Sequence, residues 1–154
     1  MDGTPQAMRH LFAQERHAVL ATAHAAHDGW PFASLVPYAE LADGDAVVLL
    51  ADIAEHTANL RADGRATLFV ADPDARERPQ AGARIALMVQ AEQPTGADAD
   101  AIAAVYAQRF PRAAGFAAAH GFGFWRLRVD RVRWIAGFGA AGFWTREQWA
   151  AGIG

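Results

Sequence analysis

Asp52, Glu55, His56, Thr57 and Asn59 crowd five hydrogen-bonding side chains into eight residues, directly after the apolar run Leu49-Leu50-Ala51. Asp52 followed three residues later by Glu55 has the spacing of a capping box, and it predicts a helix over 53–63. The first turn of such a helix directs backbone N–H groups at the end of the preceding strand, a geometry that favours an anion such as phosphate. His56, Thr57 and Asn59 would add side-chain donors. Helical spacing puts Ile53, Thr57 and Leu60 on one stripe and His56 and Asn59 on the adjacent one, so the first packs and the second meets a ligand. A plainer reading stands beside it: Asp52 only caps, Thr57 is half-buried and His56 is a surface imidazole. Two carboxylates next to a phosphate are a cost.

Other constellations point to less chemistry. His24 and His27 are three residues apart, but in a strand-to-turn context with no third ligand specified, so no metal site is expected. His120 could ligate a haem iron, although a helix-ending imidazole followed by Gly121 is the simpler role. The stretches GFGFW and GFGAAGF lack the strand–GxGxxG–helix order of a dinucleotide site. Arg126, Arg128, Arg131 and Arg133 alternate with apolar residues and read as a solvated outer face, or as a basic patch for a phosphate or propionate. Trp125, Trp134, Phe138, Phe143 and Trp144 read as core or interface packing, with an aromatic wall over a flat ligand as the alternative. No side chain stands out as a catalytic proton donor.

The elements that must position these residues follow from pattern. Thr4 caps and Pro5 opens a short amphipathic helix through Met8, Leu11 and Phe12. HAVLATA and FASLVPYAEL flank the turn signal Asp28-Gly29 and form a hairpin. AVVLLA is apolar on both faces, as a buried central strand is. RATLFVAD, RIALMVQAEQP, FGFWRLRV and RVRWIAGF read as further strands, and GADADAIAAVYAQRF as a helix ending at Pro111. At 154 residues and 53% apolar, the chain is one domain, 1–154, of α+β class: a small antiparallel barrel of six or seven strands with a few short helices. A net charge of -3 gives no general reason to expect nucleic acid or an anionic membrane as partner. With no cysteine, thiolate chemistry is excluded; all 14 basic residues are arginine, so any phosphate must be held by Arg, His, hydroxyls or backbone. The opening residues lack the apolar core of a signal peptide, which makes a cytoplasmic protein the expectation.

The run LLADIAEHTANLRADGRATLFVAD, with HAVLATAHAAHDGWPFASLVPY before it, resembles the pyridoxamine 5'-phosphate oxidase-like, FMN-binding split-barrel family. Its haem-utilisation branch is resembled most, through His-Thr-x-Asn-Leu and RVRWIAGFGAAGFW. The resemblance implies a six-stranded antiparallel split barrel forming a two-fold homodimer, with FMN at the subunit interface. It implies that Ser34, Val36 and Tyr38 lie along the flavin ring, that Leu50, Ala51 and Asp52 form the loop beside it, and that His56, Thr57 and Asn59 hold the phosphate and ribityl chain. Arg84 matches a family strand that often carries Arg-x-x-x-x-Gly, although no glycine follows at that spacing here. The expected function is FMN-dependent redox chemistry on a small-molecule substrate or electron donor. Haem binding or degradation on the same barrel is the alternative, and a non-catalytic binding module is a third. A deazaflavin fits the same expectations as FMN.

Overall fold

A computed structural model describes residues 3–119 and 121–152. Helix α1 (Pro5–Gln14) starts as its sequence directs: Thr4 Oγ1 accepts from the Ala7 N–H at 3.2 Å, and Pro5 opens the helix. It delivers Met8, Leu11 and Phe12 to the core. Strands β1 (His17–Ala23) and β2 (Pro31–Pro37) form the expected hairpin. Asp28 and Gly29 both take positive φ, at 52° and 72°, which a mirror-image hairpin turn requires.

The sheet continues through β3 (Ala39–Glu40), β4 (Ala46–Ala51), β5 (Arg65–Ala71), β6 (Arg84–Glu92), β7 (Phe122–Gly137) and β8 (Ala140–Thr145). The hydrogen-bonded order is β2-β1-β5-β6-β7-β4-β3, with β8 also on β7, and every pairing is antiparallel. This is a mainly β, curled half-barrel of eight strands rather than six. Residues 122–137 form one strand where the sequence pattern reads as two. The register to β6 slips between Met88 and Val89, leaving Asp130 as an inserted residue on β7. That bulge keeps both Leu127 and Val129 before it and Val132 after it buried. β7 therefore serves β4 with its first half and β8 with its second.

The helices plug the ends of the curl. Helix α2 (Glu55–Ala62) covers the β1–β2 hairpin, and α4 (Gly96–Arg109) lies over Ala39, Leu41 and Val47 through Ile102 and Tyr106. α3 (Asp74–Glu77) is a single turn, α5 (Ala114–Ala119) precedes β7, and α6 (Arg146–Ala151) ends the described chain. Thr145 and Gln148 form a capping box that starts α6. It seats the fully buried Trp149 against Phe12, and the indole N–H donates to Gly44 O at 3.0 Å. Asp45, also fully buried, ties this end together. Its carboxylate accepts from Arg126 Nε at 2.9 Å, Arg146 Nη1 at 2.7 Å and the Val129 N–H at 2.9 Å. Arg126 is thus an ion-pair residue, while Arg128, Arg131 and Arg133 keep to the outer face. No helix among the described residues is long and apolar enough to cross a membrane.

Candidate functional site

The structure brings Ser34 and His56 together and gives their neighbours other partners. Ser34 Oγ shares a 3.0 Å hydrogen bond with His56 Nδ1, joining β2 to α2. Burial lowers the pKa of His56 below the ordinary imidazole value, so the neutral ring is favoured. Thr57 is fully buried and donates to Ala51 O at 2.6 Å. Asn59 is equally hidden: Nδ2 donates to Thr22 Oγ1 at 3.0 Å, and Oδ1 accepts the Ala25 N–H at 2.8 Å. These side chains staple α2 onto the hairpin.

The capping box expected at the start of α2 is absent. The residue at the N-cap is Ala54, with no side-chain bond. Residues 51–54 make a turn first, closed by the Ala54 N–H on Ala51 O at 3.1 Å, which displaces Asp52 two residues upstream. Asp52 instead pairs with Arg61 at 3.0 Å, and its N–H donates to Gly121 O. Glu55 accepts from His24 Nε2 at 2.7 Å; the His24 Nδ1 receives the Ala26 N–H, which fixes the proton on Nε2. The predicted stripe is also corrected. Ile53 is 98% exposed, and the face of α2 that packs carries Thr57, Asn59 and Leu60.

The remaining predicted residues scatter. Val36 and Leu50 point into the barrel core. Tyr38 stacks on Phe12 and donates to Phe12 O at 2.6 Å; burial first, and Glu15 second, push its phenol far above the usual range. Contacts of these three with any ligand would be through backbone. Arg84 donates to Pro79 O and to Gly82 O, clamping the loop before β6. The register Ser34–Leu20–Leu68–Leu87 places Arg84 three strands and three residues from Ser34, roughly 17 Å at standard sheet spacings. His120 lies outside the described residues.

Pattern reading missed the outer face of the sheet. Register aligns Leu35, Val19, Phe69, Ala86, Arg133 and Phe143 in one row across β2, β1, β5, β6, β7 and β8. The parallel row two residues along is Ala33, Ala21, Thr67, Met88, Arg131 and Thr145. Leu35 is 73% exposed, and Phe69, Met88 and Phe143 are each more than a third exposed. Beside them runs a groove of about 540 Å3 lined by Ala21, Ala23, Thr67 and Met88, with Pro31 and Gln90 and the charged Arg65 and Asp130 completing it. Arg128 and Arg131 pair across strands with Gln90 and Met88, and neither they nor Arg133 form an ion pair among the described residues. The period-2 alternation of β1, β5 and β6 held this signal, but only register assembles it.

The curled antiparallel sheet with helices at its ends defines a split-barrel protein. More specifically, the chain belongs to the CREG β-barrel family, whose model matches residues 2–151. It is similar to the chloroplastic heme oxygenase HOZ of Arabidopsis thaliana, with 30% identity over 139 residues, covering 86% of this chain and 41% of HOZ. It is also similar to the structure of a heme binding protein from Mycobacterium smegmatis, at 34% identity and a TM-score of 0.88, covering 98% of this chain and 61% of that one. In both cases this chain spans less than two thirds of the relative. A Clostridium acetobutylicum protein of the pyridoxinephosphate oxidase family shares the fold alone, at 9% identity and a TM-score of 0.67 over 94% of this chain and 95% of that one. The expected split barrel is therefore established, and the pyridoxinephosphate oxidase-family protein shares it at the level of fold. The Arabidopsis and Mycobacterium relatives, at 30% and 34% identity, carry names for haem rather than for flavin.

Proposed function

We propose that this chain is a haem-binding domain that works as a two-fold homodimer, and that the alternative reached from sequence displaces FMN as the first reading. The observation that carries it is the 34% identity, along 98% of the chain, to a protein named for binding haem. The polar geometry of α2 supports the same choice. FMN and a deazaflavin both need a phosphate anchor, and here the Thr57 and Asn59 groups already have protein partners. Asp52 and Glu55 also place two carboxylates at the start of α2.

The outer groove is mainly apolar, with Asp130 and the Asp63-paired Arg65 as its charged lining residues, and it is to a flat apolar face that its floor is suited. Its floor of Ala21, Ala23, Thr67 and Met88 lets a planar macrocycle approach the sheet closely and excludes water from one face. Arg128 and Arg131 are the cross-strand neighbours of the lining residues Gln90 and Met88, while the guanidiniums of Arg131 and Arg133 lie 4.3 and 5.0 Å over the Phe143 ring; from there a planar fork would have to swing to meet a carboxylate at the groove. Among the described residues no histidine lines the groove; His27, on the same hairpin, lines the adjacent cleft with His24, Trp30 and Phe32. Bound haem would supply iron-centred redox and oxygen chemistry; the chain's own part is to bind, orient and shield it. The apolar row from Leu35 through Val19 and Phe69 to Ala86 supports self-association, because exposed contiguous apolar surface on a sheet marks an interaction face. A second copy docked there would turn the groove into an intersubunit cleft.

The test is a haemin titration followed by absorbance, on the wild-type chain and on Thr67→Trp, which fills the groove floor from an outward-facing strand position. A saturable Soret shift in the wild type that weakens at least tenfold in Thr67→Trp is the expected result. Equal binding by both chains would move the haem elsewhere, and binding no better than to an unrelated protein would end the reading. Loss of the Soret band on adding reductant under air would extend binding to degradation.

A further inference from the structure

A second groove, of about 510 Å3, lies at the opposite end of β2 from the hairpin tip. Pro37 at its edge and Pro31 at the haem groove are six residues apart, roughly 20 Å along an extended strand. Its size falls in the roughly 300–1,000 Å3 range of small-molecule clefts. Tyr106, Phe110, Pro111 and Phe116 make it almost wholly apolar. Phe116 is 61% exposed and meets Phe122 edge-on, so a large aromatic face is left open to solvent at this point. Burial raises the pKa of Tyr106, which keeps its phenol neutral at physiological pH.

The charges around this groove have one sign. Arg16 and Arg112 line it, and no carboxylate does. Arg16 is preorganised: its guanidinium lies 5.0 Å over the Phe110 ring, and Nη2 donates to Arg109 O at 2.9 Å. The other donors of that fork remain available. Arg112 makes no hydrogen bond or ion pair with any described residue. Arg109, which donates to the carbonyls of Ala13, Gln14 and Glu15, adds a third positive charge nearby. In a chain of net charge -3, this concentration of arginine beside aromatic rings is complementary to one ligand chemistry.

We propose that the groove formed by α4, the 111–113 turn and α5 binds an amphiphilic carboxylate, its hydrocarbon body against Tyr106, Phe110 and Phe116 and its carboxylate between Arg16 and Arg112. This site is separate from the haem groove and does not depend on it. A planar carboxylate can accept from two planar guanidiniums at once, which fixes its head while the chain packs without directional demand.

Calorimetric titration with dodecanoate, below its critical micelle concentration and at low salt, tests the proposal. Saturable one-site binding is expected, with dodecanol at least tenfold weaker because it lacks the charge. Arg112→Ala is expected to weaken dodecanoate about tenfold and Phe116→Asp to abolish it. Both side chains are exposed, so unchanged circular dichroism melts will show that the variants fold. Chain preloaded with haemin should bind dodecanoate with the same affinity. Absence of saturable binding, equal binding of dodecanol, an unaffected Arg112→Ala, or competition with haemin would each overturn the assignment.

Discussion

Asn59→Ala separates a structural role for α2 from a ligand-binding one. Asn59 is 1% exposed and carries two of the hydrogen bonds that fasten α2 to the hairpin. Truncation strands the Thr22 hydroxyl, which is buried, at a cost of roughly 2 kcal/mol for an unsatisfied group. Ala25 is exposed, so its N–H can turn to water, and its loss adds about 1 kcal/mol at the low end of the same range. The total of about 3 kcal/mol corresponds to a Tm decrease of roughly 6–12 °C for a domain of this size. Thermal melts by circular dichroism and urea midpoints measure it directly. Haemin affinity, read on the folded variant below its transition, should change less than threefold, because neither bonded atom of Asn59 faces the groove. A Tm within 2 °C of wild type, accompanied by a tenfold loss of ligand affinity, would refute the reasoning and return Asn59 to the ligand.

Further outcomes follow from the same geometry. Burial alone would raise the Asp45 carboxyl, but hydrogen bonds from Arg146, the Val129 N–H and Arg126 hold it below the ordinary carboxylate value. Its stabilisation is therefore full above that value and is lost as pH falls through the lowered pKa; Asp45→Asn should cost about 2–4 kcal/mol at pH 7, and the gap to wild type should close toward pH 2 in urea melts. His56 has the same sign, displaced to higher pH. Its folded pKa is depressed by burial, so its contribution is full above the ordinary imidazole value and declines as pH falls below it, and His56→Gln should flatten stability between pH 8 and 5; identical slopes would show that the ring is solvated. If the proposed homodimer forms through the outer face, Leu35→Glu combined with Phe69→Glu should convert it to monomer in sedimentation velocity, and a dimer that persists would place the interface elsewhere.

Much of the fold is legible in local pattern. Thr4-Pro5, Asp28-Gly29 and the two-sided apolar run AVVLLA each specify an element through chemistry contained within a few residues, and each forms where expected. The errors arise where the decisive partner is distant in sequence. Asp52 and Glu55 have capping spacing, but Arg61 and His24 claim them, and the turn closing at Ala54 shifts the helix start. Thr57 and Asn59 have the types of ligand-binding residues, yet their partners at Ala51, Thr22 and Ala25 are set by how α2 crosses the hairpin. The break expected between 129 and 131 lacked a Gly or Pro turn signal, and a bulge absorbed Asp130 within one strand. Helix α6 was legible, since Thr145-x-x-Gln148 is a capping box, but its apolar content is too small for a periodic signal. The outer groove depends on the register of four strands, which composition does not encode.

Equilibrium dialysis of the chain against equimolar haemin and FMN tests the central claim most directly. Haemin is expected to be retained at one equivalent per chain while FMN distributes equally across the membrane. Retention of FMN with haemin left free would contradict the claim and restore a flavin site to this barrel.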